Sequence, residues 1–354
     1  MASSIPLLRL EPDFPDAARS FPQIRFMGSK FRLMPWIYDV LSQLDFSTAL
    51  DAFSGSGCVG YLMKSMGKEV HSNDFLNFCA TIATATVENP GVRLGDEDLA
   101  DLLAYDPKHE HFIEKTFTGI FFTPNDLRFL DRVSWNIRKL RDRHKKSLAV
   151  SALIRSCAKR QPRGVFTVAG DPEHYKDDRR DLRLTLEEHF LENVAAYNSA
   201  SFSNGRANTS TRGDVFTLPP RKVDLVYLDP PYVPRADDNC YMKRYHFLEG
   251  LSFYWSEGEV LTQSKVRKLK KPFTPFSYRR HAVDTFDRLF ARFADSTLVL
   301  SYSSNGFPDL EQLVGLMKRY KPDVTVYERQ HRYHFGTHAR AERNEVQEYL
   351  VVGV

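Results

Sequence analysis

The chain has 354 residues, of which 42% are hydrophobic and 27% charged, with 49 Lys and Arg against 45 Asp and Glu. This composition excludes a disordered or low-complexity chain, and no apolar run reaches the ~18–20 residues that a transmembrane helix needs. The four cysteines are far apart and form no CxxC pair, so we expect neither disulfide bonds nor a metal site. Because no signal-peptide pattern is present either, the sequence predicts a cytoplasmic protein with no membrane partner.

The N-terminal part of the chain has a pattern of alternating helices and strands. Pro35 is expected to break or kink the first helix, and Gly67 is expected to end the second one. The predicted elements are a helix over residues 30–44, a strand over 49–52, a helix over 58–66, a strand over 69–74 and a helix to about Glu88.

The middle of the chain differs in both pattern and charge. Residues 91–211 are mostly helical in pattern, and the Ser-, Asn- and Gly-rich stretch 198–213 is typical of a linker. Residues 128–180 carry 15 basic and 6 acidic side chains, whereas residues 1–100 carry 8 and 12. Such a local positive field attracts a polyanion, although a solvated helical face is the alternative interpretation. We interpret residues 91–211 as an inserted, mainly helical, basic domain.

The C-terminal part returns to the alternating pattern. It predicts strands over residues 223–228 and 297–302, then a helix over 309–320, and finally an antiparallel pair of strands over 323–328 and 346–352. The fold class is therefore α/β, with residues 1–90 and 212–354 forming one domain around a largely parallel sheet. Such sheets bind their ligands at the carboxyl ends of the strands.

A glycine-rich loop lies at the first of these strand ends, in the segment Asp51-Ala52-Phe53-Ser54-Gly55-Ser56-Gly57. Glycines between a strand and a helix let the backbone approach a ligand at the helix N-terminus, and Gly60 completes a G-x-G-x-x-G spacing. The next strand ends in Asp74, which suits hydrogen bonds from ribose hydroxyls. The pattern favours an adenosine-containing cofactor over a purely structural turn.

A second motif, Asp229-Pro230-Pro231-Tyr232, follows the predicted strand over residues 223–228. Two consecutive prolines remove two amide donors and stiffen the backbone. The Asp229 carboxylate and the Pro230 carbonyl remain as acceptors beside the Tyr232 ring. This set suits a planar group with an exocyclic amine, since the acceptors can take its two N–H bonds while the ring stacks. A rigid proline turn is the structural alternative.

These motifs resemble those of the Dam-type alpha group of S-adenosylmethionine-dependent DNA adenine-N6 methyltransferases. Residues 25–30 are similar to the N-terminal cofactor motif of that family, and residues 51–57 to its glycine loop, with Ala52 where proline is commoner. The pair Gly213-Asp214 is similar to one that lies near the cofactor's adenine in relatives. The resemblance implies a Rossmann-like methyltransferase sheet with the basic insert inside it.

The resemblance also implies roles for individual residues. It makes Asp229, Pro230, Tyr232 and Lys30 the expected catalytic residues. The target adenine is stacked and paired in a duplex, so it would be flipped into the pocket. The expected cofactor is S-adenosyl-L-methionine, with the binding residues Phe26, Gly28, Lys30, Asp51, Phe53, Gly55, Gly57, Asp74, Asp214 and Asp229.

The basic insert would then be the target-recognition domain for double-stranded DNA. We expect phosphate contacts from five of its cations and base-edge contacts from two, namely Arg138, Lys139, Arg141, Lys145 and Lys146, and Arg160 and Arg163. The run 265–271 is a second basic segment to which the same two interpretations apply, contact with phosphates or a solvated face.

Further expectations concern partners and alternative functions. A cognate restriction endonuclease is an expected partner, and the chain is expected to be a monomer or a weak dimer. Three alternatives stay open at this point: an RNA adenine-N6 methyltransferase, a DNA cytosine-N4 methyltransferase, and a catalytically silent DNA-binding protein.

Overall fold

The computed structural model describes residues 14–170, 179–231, 233–234, 240–332 and 345–354. These residues form one seven-stranded sheet and a separate pair of short strands. The strands are β1 Thr48–Asp51, β2 Glu69–Asp74, β3 Thr209–Arg212, β4 Leu225–Leu228, β5 Val233–Pro234, β6 Thr297–Ser303, β7 Gly306–Phe307, β8 Val324–Arg332 and β9 Glu345–Gly353.

The large sheet has the strand order β3-β2-β1-β4-β6-β9-β8. Its first five strands are parallel to one another, whereas β9 is antiparallel to both of its neighbours, β6 and β8. The predicted antiparallel pair at the C-terminal end is therefore confirmed. The carboxyl ends of β1, β2 and β4 lie together at one edge, which is where parallel sheets bind ligands.

Helices cover both faces of this sheet and fill most of the chain between β2 and β3. Several begin at a side chain that caps the first turn, as Thr123, Thr185 and Asp309 do. The helices are α1 Asp16–Arg19, α2 Met34–Leu41, α3 Cys58–Ser65, α4 Asn77–Ala83, α5 Asp96–Leu103, α6 Phe112–Phe117, α7 Pro124–Ile137, α8 Arg143–Arg160, α9 Arg180–Arg183, α10 Leu186–Ala200, α11 Tyr241–Ser252, α12 Arg279–Arg292 and α13 Leu310–Met317. Among the described residues, none of the helices is both long and apolar enough to cross a membrane.

Side chains of the central strand β4 alternate between two apolar layers. Leu225 and Tyr227 belong to the cluster that includes helices α2 and α3, whereas Val226 and Leu228 belong to the cluster that includes α12 and α13. Successive side chains of a strand point to opposite faces of the sheet, so a strand that is covered by helices on both faces is apolar at every position. This double burial fixes the register of the strand that leads into Asp229.

The insert is joined to the sheet domain by a third apolar cluster. This cluster contains Phe78 of α4, Leu153 of α8 and Phe247 of α11. The predicted linker over residues 198–213 is wrong in part, because α10 continues to Ala200 and β3 pairs with β2 in the sheet. Residues 209–212 therefore belong to the sheet, and the division of the chain into two domains stays a prediction.

The predicted helix over residues 30–44 is shorter in the structure. A 3₁₀ turn over Lys30–Leu33 leads into α2, and Pro35 lies in the first turn of that helix. A proline costs no intrahelical hydrogen bond at this position. Pro35 thus helps to start the helix and does not break or kink it, contrary to the prediction.

Candidate active site

A cleft opens at the carboxyl edge of the sheet, at the ends of β1, β2 and β4. It encloses about 1210 Å³, including space open to solvent. The fold brings the N-terminal motif, two strand ends and the Asp-Pro-Pro segment into this one cavity. Nine of the predicted cofactor residues line it: Phe26, Gly28, Lys30, Asp51, Phe53, Gly55, Asp74, Asp214 and Asp229.

Asp74 holds the glycine loop in place. The backbone N–H of Gly55 donates to Asp74 Oδ2 at 2.7 Å, and that of Leu76 donates to Oδ1 at 2.8 Å. Gly55 adopts a φ of +50°, and a Cβ there would lie 3.2 Å from the Phe26 ring. Burial raises the pKa of Asp74 to about 6. Its predicted contact with ribose stays a prediction, since both oxygens already accept backbone hydrogen bonds.

Gly57, unlike the other nine predicted cofactor residues, is not among the residues that line the cleft. Its φ of +83° at the N-cap of α3 lies in the left-handed region that favours glycine. A Cβ there would approach Ile82 at 3.4 Å and Thr86 at 3.6 Å. Gly57 therefore shapes the turn from the loop into α3, and its predicted contact with the cofactor stays a prediction.

Asp51 is a buried carboxylate on the wall of the cleft. Asp51 is 1% exposed; the backbone N–H groups of Gly60 and Phe53 act on its carboxylate, but neither oxygen accepts a well-aligned hydrogen bond from a described residue. Burial and the nearby carboxylates of Asp229 and Asp74 raise its pKa to about 8. Because a buried carboxylate with only these weak backbone donors is costly, the site favours a ligand that brings a positive charge or N–H donors to this position.

Lys30 and Asp229 join the N-terminal motif to the Asp-Pro-Pro segment. Lys30 Nζ donates to Asp229 Oδ1 at 3.0 Å and to the Gly28 carbonyl at 3.1 Å. Burial raises the pKa of Asp229, and the Lys30 ammonium opposes that effect. The Asp229 side chain is 20% exposed, and in the described part of the chain its Oδ2 receives no hydrogen bond. One carboxylate oxygen is thus fixed by Lys30.

The rest of the second motif is described only in part. Tyr232 lies outside the described residues, so its predicted stacking stays a prediction. Pro231 lines the cleft, and Pro230 is buried. No backbone N–H of the described residues donates to the Pro230 carbonyl.

Two aromatic side chains of α11 support the N-terminal motif, and sequence reasoning missed both of them. The Phe26 ring stacks on Tyr245 at a centroid distance of 5.1 Å and on Tyr241 at 5.4 Å. The backbone N–H of Met27 donates to the Tyr245 hydroxyl at 2.7 Å. The spacing of four residues between the two tyrosines, which places them on one helix face, is the signal that points to this arrangement.

The remaining walls of the cleft come from other segments. Asp214 accepts the backbone N–H of Phe216 at 2.9 Å, and Phe53 packs edge-to-face on Phe276 at 5.3 Å. Residues 272–277 form a further wall that the sequence did not indicate. Within the described ranges, no group of three or more His, Cys, Asp or Glu side chains is arranged to hold a metal ion.

The predicted DNA-binding cations fall into two groups. Four of them pair with acids: Arg138 with Glu110, Lys139 with Asp106, Lys145 with Asp98, and Arg160 with Asp126. Arg160 is also buried, which removes it from the residues that can reach base edges. Arg141, Lys146 and Arg163 are exposed and form no ion pair with any described residue.

The fold and the cleft together define a Rossmann-like α/β methyltransferase. A mainly parallel sheet carries a glycine loop and an Asp-Pro-Pro segment at the same edge. The chain belongs to the D12 class N6 adenine-specific DNA methyltransferase family, whose family model matches residues 26–300.

Curated relatives agree with this family. The chain is 29% identical over 327 residues to the type II methyltransferase M2.HphI of Haemophilus parahaemolyticus, with 88% of this chain and 92% of that protein covered. It is 24% identical to the modification methylase LlaI of Lactococcus lactis subsp. lactis and 23% identical to the type II methyltransferase M.FokI of Planomicrobium okeanokoites, over 92% of this chain. The chain spans only about half of these two proteins, 51% and 52% of their lengths.

The family establishes the reaction. The protein is an adenine-specific DNA methyltransferase that transfers a methyl group from a methyl donor to N6 of adenine. This finding sets aside the RNA, cytosine-N4 and catalytically silent alternatives. Membership of the Dam-type alpha group stays a prediction.

Proposed function

We propose that the methyl donor is S-adenosylmethionine, bound in the cleft, and that the acceptor is an adenine flipped out of double-stranded DNA. When bound, this donor supplies a methyl group that is activated by a positively charged sulfur. The ion pair between Lys30 and Asp229 carries the proposal, because it joins the two predicted motifs at 3.0 Å inside one cavity.

The charges on the cleft wall suit this donor. Asp51, Asp74 and Asp229 line the cavity, and Lys30 is the one Lys or Arg among its described lining residues. Asp51, whose oxygens accept no well-aligned hydrogen bond from a described residue, would accept hydrogen bonds from the ammonium group of the donor. The ring of Phe26 would provide an apolar surface for the adenosine part.

The acceptor amine needs activation, because its lone pair is delocalised into the purine ring. Asp229 Oδ2 would hold one N–H bond of this amine, and the Pro230 carbonyl would hold the other. With both N–H bonds held, the nitrogen can become tetrahedral and direct its lone pair at the methyl group. Alignment of the two reacting groups supplies much of the rate enhancement in such a displacement.

Asp229 also provides for the charge that develops during transfer. A bond forms between N6 and the methyl carbon while the bond from that carbon to sulfur breaks, so positive charge moves onto N6. Hydrogen bonds to Asp229 and Pro230 strengthen as this charge grows, which stabilises the transition state more than the ground state. The extra proton on N6 then leaves along the hydrogen bond to Asp229.

Base flipping requires contacts outside the cleft. Extruding an adenine costs a few kcal/mol, and stacking on Tyr232 would offset part of this cost. The insert would recognise the target, with Arg141, Lys146 and Arg163 on the DNA because they are exposed and not neutralised by described acids. We further propose that the enzyme acts as a monomer or weak dimer beside a cognate restriction endonuclease.

The test is methyl transfer from S-adenosylmethionine with a labelled methyl group to mixed-sequence duplex DNA, followed by mapping of the modified bases. We expect label only on N6 of adenine, at one recognition sequence. Asp229→Asn should lose transfer and still bind the donor. Asp323→Asn, at the opposite edge of the sheet, should behave as the wild type. Label on another base, or full transfer by Asp229→Asn, would contradict the proposal.

A further inference from the structure

Residues 259–281 form a partly exposed segment beside the cleft that the mechanism above does not use. Val260 bridges to Leu269, and the backbone N–H of Leu261 donates to the Lys268 carbonyl, so the segment folds back on itself. Residues 272–277 of this segment form a wall of the cleft. The fold therefore ties this partly exposed loop directly to the active site.

The segment has a strong positive charge. Residues 259–281 contain seven Lys and Arg against one acid, Glu259, which pairs with Lys270. Lys265, Lys268 and Arg280 form no ion pair with any described residue, in contrast to the four paired cations of the insert. A cation that is not neutralised by a nearby carboxylate is available to bind a phosphate.

Exposed aromatic rings lie among these cations. Phe273 is 63% exposed, and its ring stacks on Tyr278 at 5.4 Å with an angle of 15° between the planes. The Arg280 guanidinium lies 5.9 Å from the centre of the Tyr278 ring. Phe273 also lines the cleft, so an exposed apolar ring lies at the cavity itself. Aromatic rings among free cations are typical of surfaces that bind single-stranded nucleic acid.

We propose that residues 265–281 hold the target strand beside the extruded adenine, with Lys265, Lys268 and Arg280 on backbone phosphates and Phe273 stacked on an unpaired base. Extrusion removes the stacking partners of the bases next to the target, and Phe273 replaces one of them. The proposal deepens the proposed function and rests on it, since it requires a base that has left the duplex.

The test measures DNA affinity of the full chain against salt concentration, with a duplex that carries the mapped methylation site. Lys265→Ala combined with Lys268→Ala should reduce the slope of log affinity against log salt by about 2. Lys222→Ala, an exposed lysine at the opposite edge of the sheet, is the matched control and should leave the slope unchanged.

Phe273→Leu should weaken binding to this duplex by about 5- to 150-fold at constant slope. It should have no effect on a duplex without the site, and Phe273→Tyr should restore affinity. An unchanged slope in the lysine variant together with unchanged affinity in Phe273→Leu would overturn the proposal. Methylation of the same duplex by the wild-type enzyme is measured in parallel, and only its failure would count against the proposed function itself.

Discussion

Lys30 Nζ lies 3.0 Å from Asp229 Oδ1, although 199 residues separate the two in the chain. The Lys30 ammonium is the group that opposes the effect of burial on the Asp229 carboxyl, and a neighbouring cation favours the ionised form of an acid. This ion pair therefore controls the pH range over which Asp229 can accept the hydrogen bonds of an amine.

The first prediction concerns the acid side of the pH–rate profile. Activity should fall as the pH is lowered through the pKa of Asp229, because a protonated carboxyl is a poorer acceptor. Lys30→Met should move this fall to higher pH, since removing the ammonium raises the pKa of Asp229 further. Asp229→Asn should lower kcat by about 10²- to 10³-fold and remove the acid limb. Lys222→Met serves as the control, and an acid limb that stays in place in Lys30→Met would refute the role of the pair.

A second prediction follows from Asp51, whose pKa burial and the nearby carboxylates raise to about 8. Near pH 7 most of the free enzyme carries a proton on Asp51, and a cationic donor must displace it. Donor affinity should therefore rise between pH 6 and about 7.5, with proton release on binding, because the α-ammonium group of the donor loses its own proton at higher pH. Asp51→Asn should weaken binding by about tenfold or more and make it independent of pH in this range. Calorimetry in buffers of different ionisation enthalpy measures both effects, and pH-dependent binding by Asp51→Asn would count against this assignment.

A third prediction concerns stability without the donor. Burial is the main cause that raises the pKa of Asp74 to about 6, of Glu249 to about 7 and of Asp51 to about 8. The folded state thus binds more protons than the unfolded state between about pH 4 and 8, and the free energy of unfolding falls as the pH rises through that window. Asp51→Asn removes this destabilising effect and should raise Tm at pH 8 by about 1–2 °C for each kcal/mol gained in the free energy of unfolding.

Thermal melts at pH 6 and pH 8 without the donor check this third prediction. The difference in Tm between the two pH values should be smaller in Asp51→Asn than in the wild type. Asp323→Asn, an exposed aspartate, should retain the wild-type difference. Equal pH dependence in the Asp51 variant would show that this carboxyl does not destabilise the folded state.

The sequence predicted much of the fold because its strongest signals are local. Apolar runs that end in Asp51, Asp74 and Asp229 indicate strands, and parallel strands bring such ends to one edge. The edge strand Thr209–Arg212 was missed because it is polar and lies next to a Ser- and Asn-rich stretch. Tertiary pairing with β2 decides its conformation, and no local pattern reports that pairing.

The site could be predicted where one motif contains the chemical groups. It could not be predicted where a side chain pairs with a residue that is far away in the sequence. Lys139 donates to Asp106, 33 residues away, and Lys145 to Asp98, 47 residues away. Counting charge over residues 128–180 left out these acids, so the insert appeared more basic than its folded surface is. The stack of Phe26 on Tyr245 likewise depends on a contact that only the folded chain creates.

The last prediction compares two glycines that both adopt the left-handed conformation, Gly55 at a φ of +50° and Gly67 at +77°. Alanine at either position costs about 1–2 kcal/mol of backbone strain, which should lower Tm by a few degrees in both variants. A Cβ at Gly55 would lie 3.2 Å from the Phe26 ring, whereas a Cβ at Gly67 has no neighbour within 4 Å. Only Gly55→Ala should therefore displace Phe26 and weaken donor binding, by about tenfold. Calorimetric titration of both variants checks this, and equal donor affinities would show that the close approach of the loop to Phe26 does not shape the donor site.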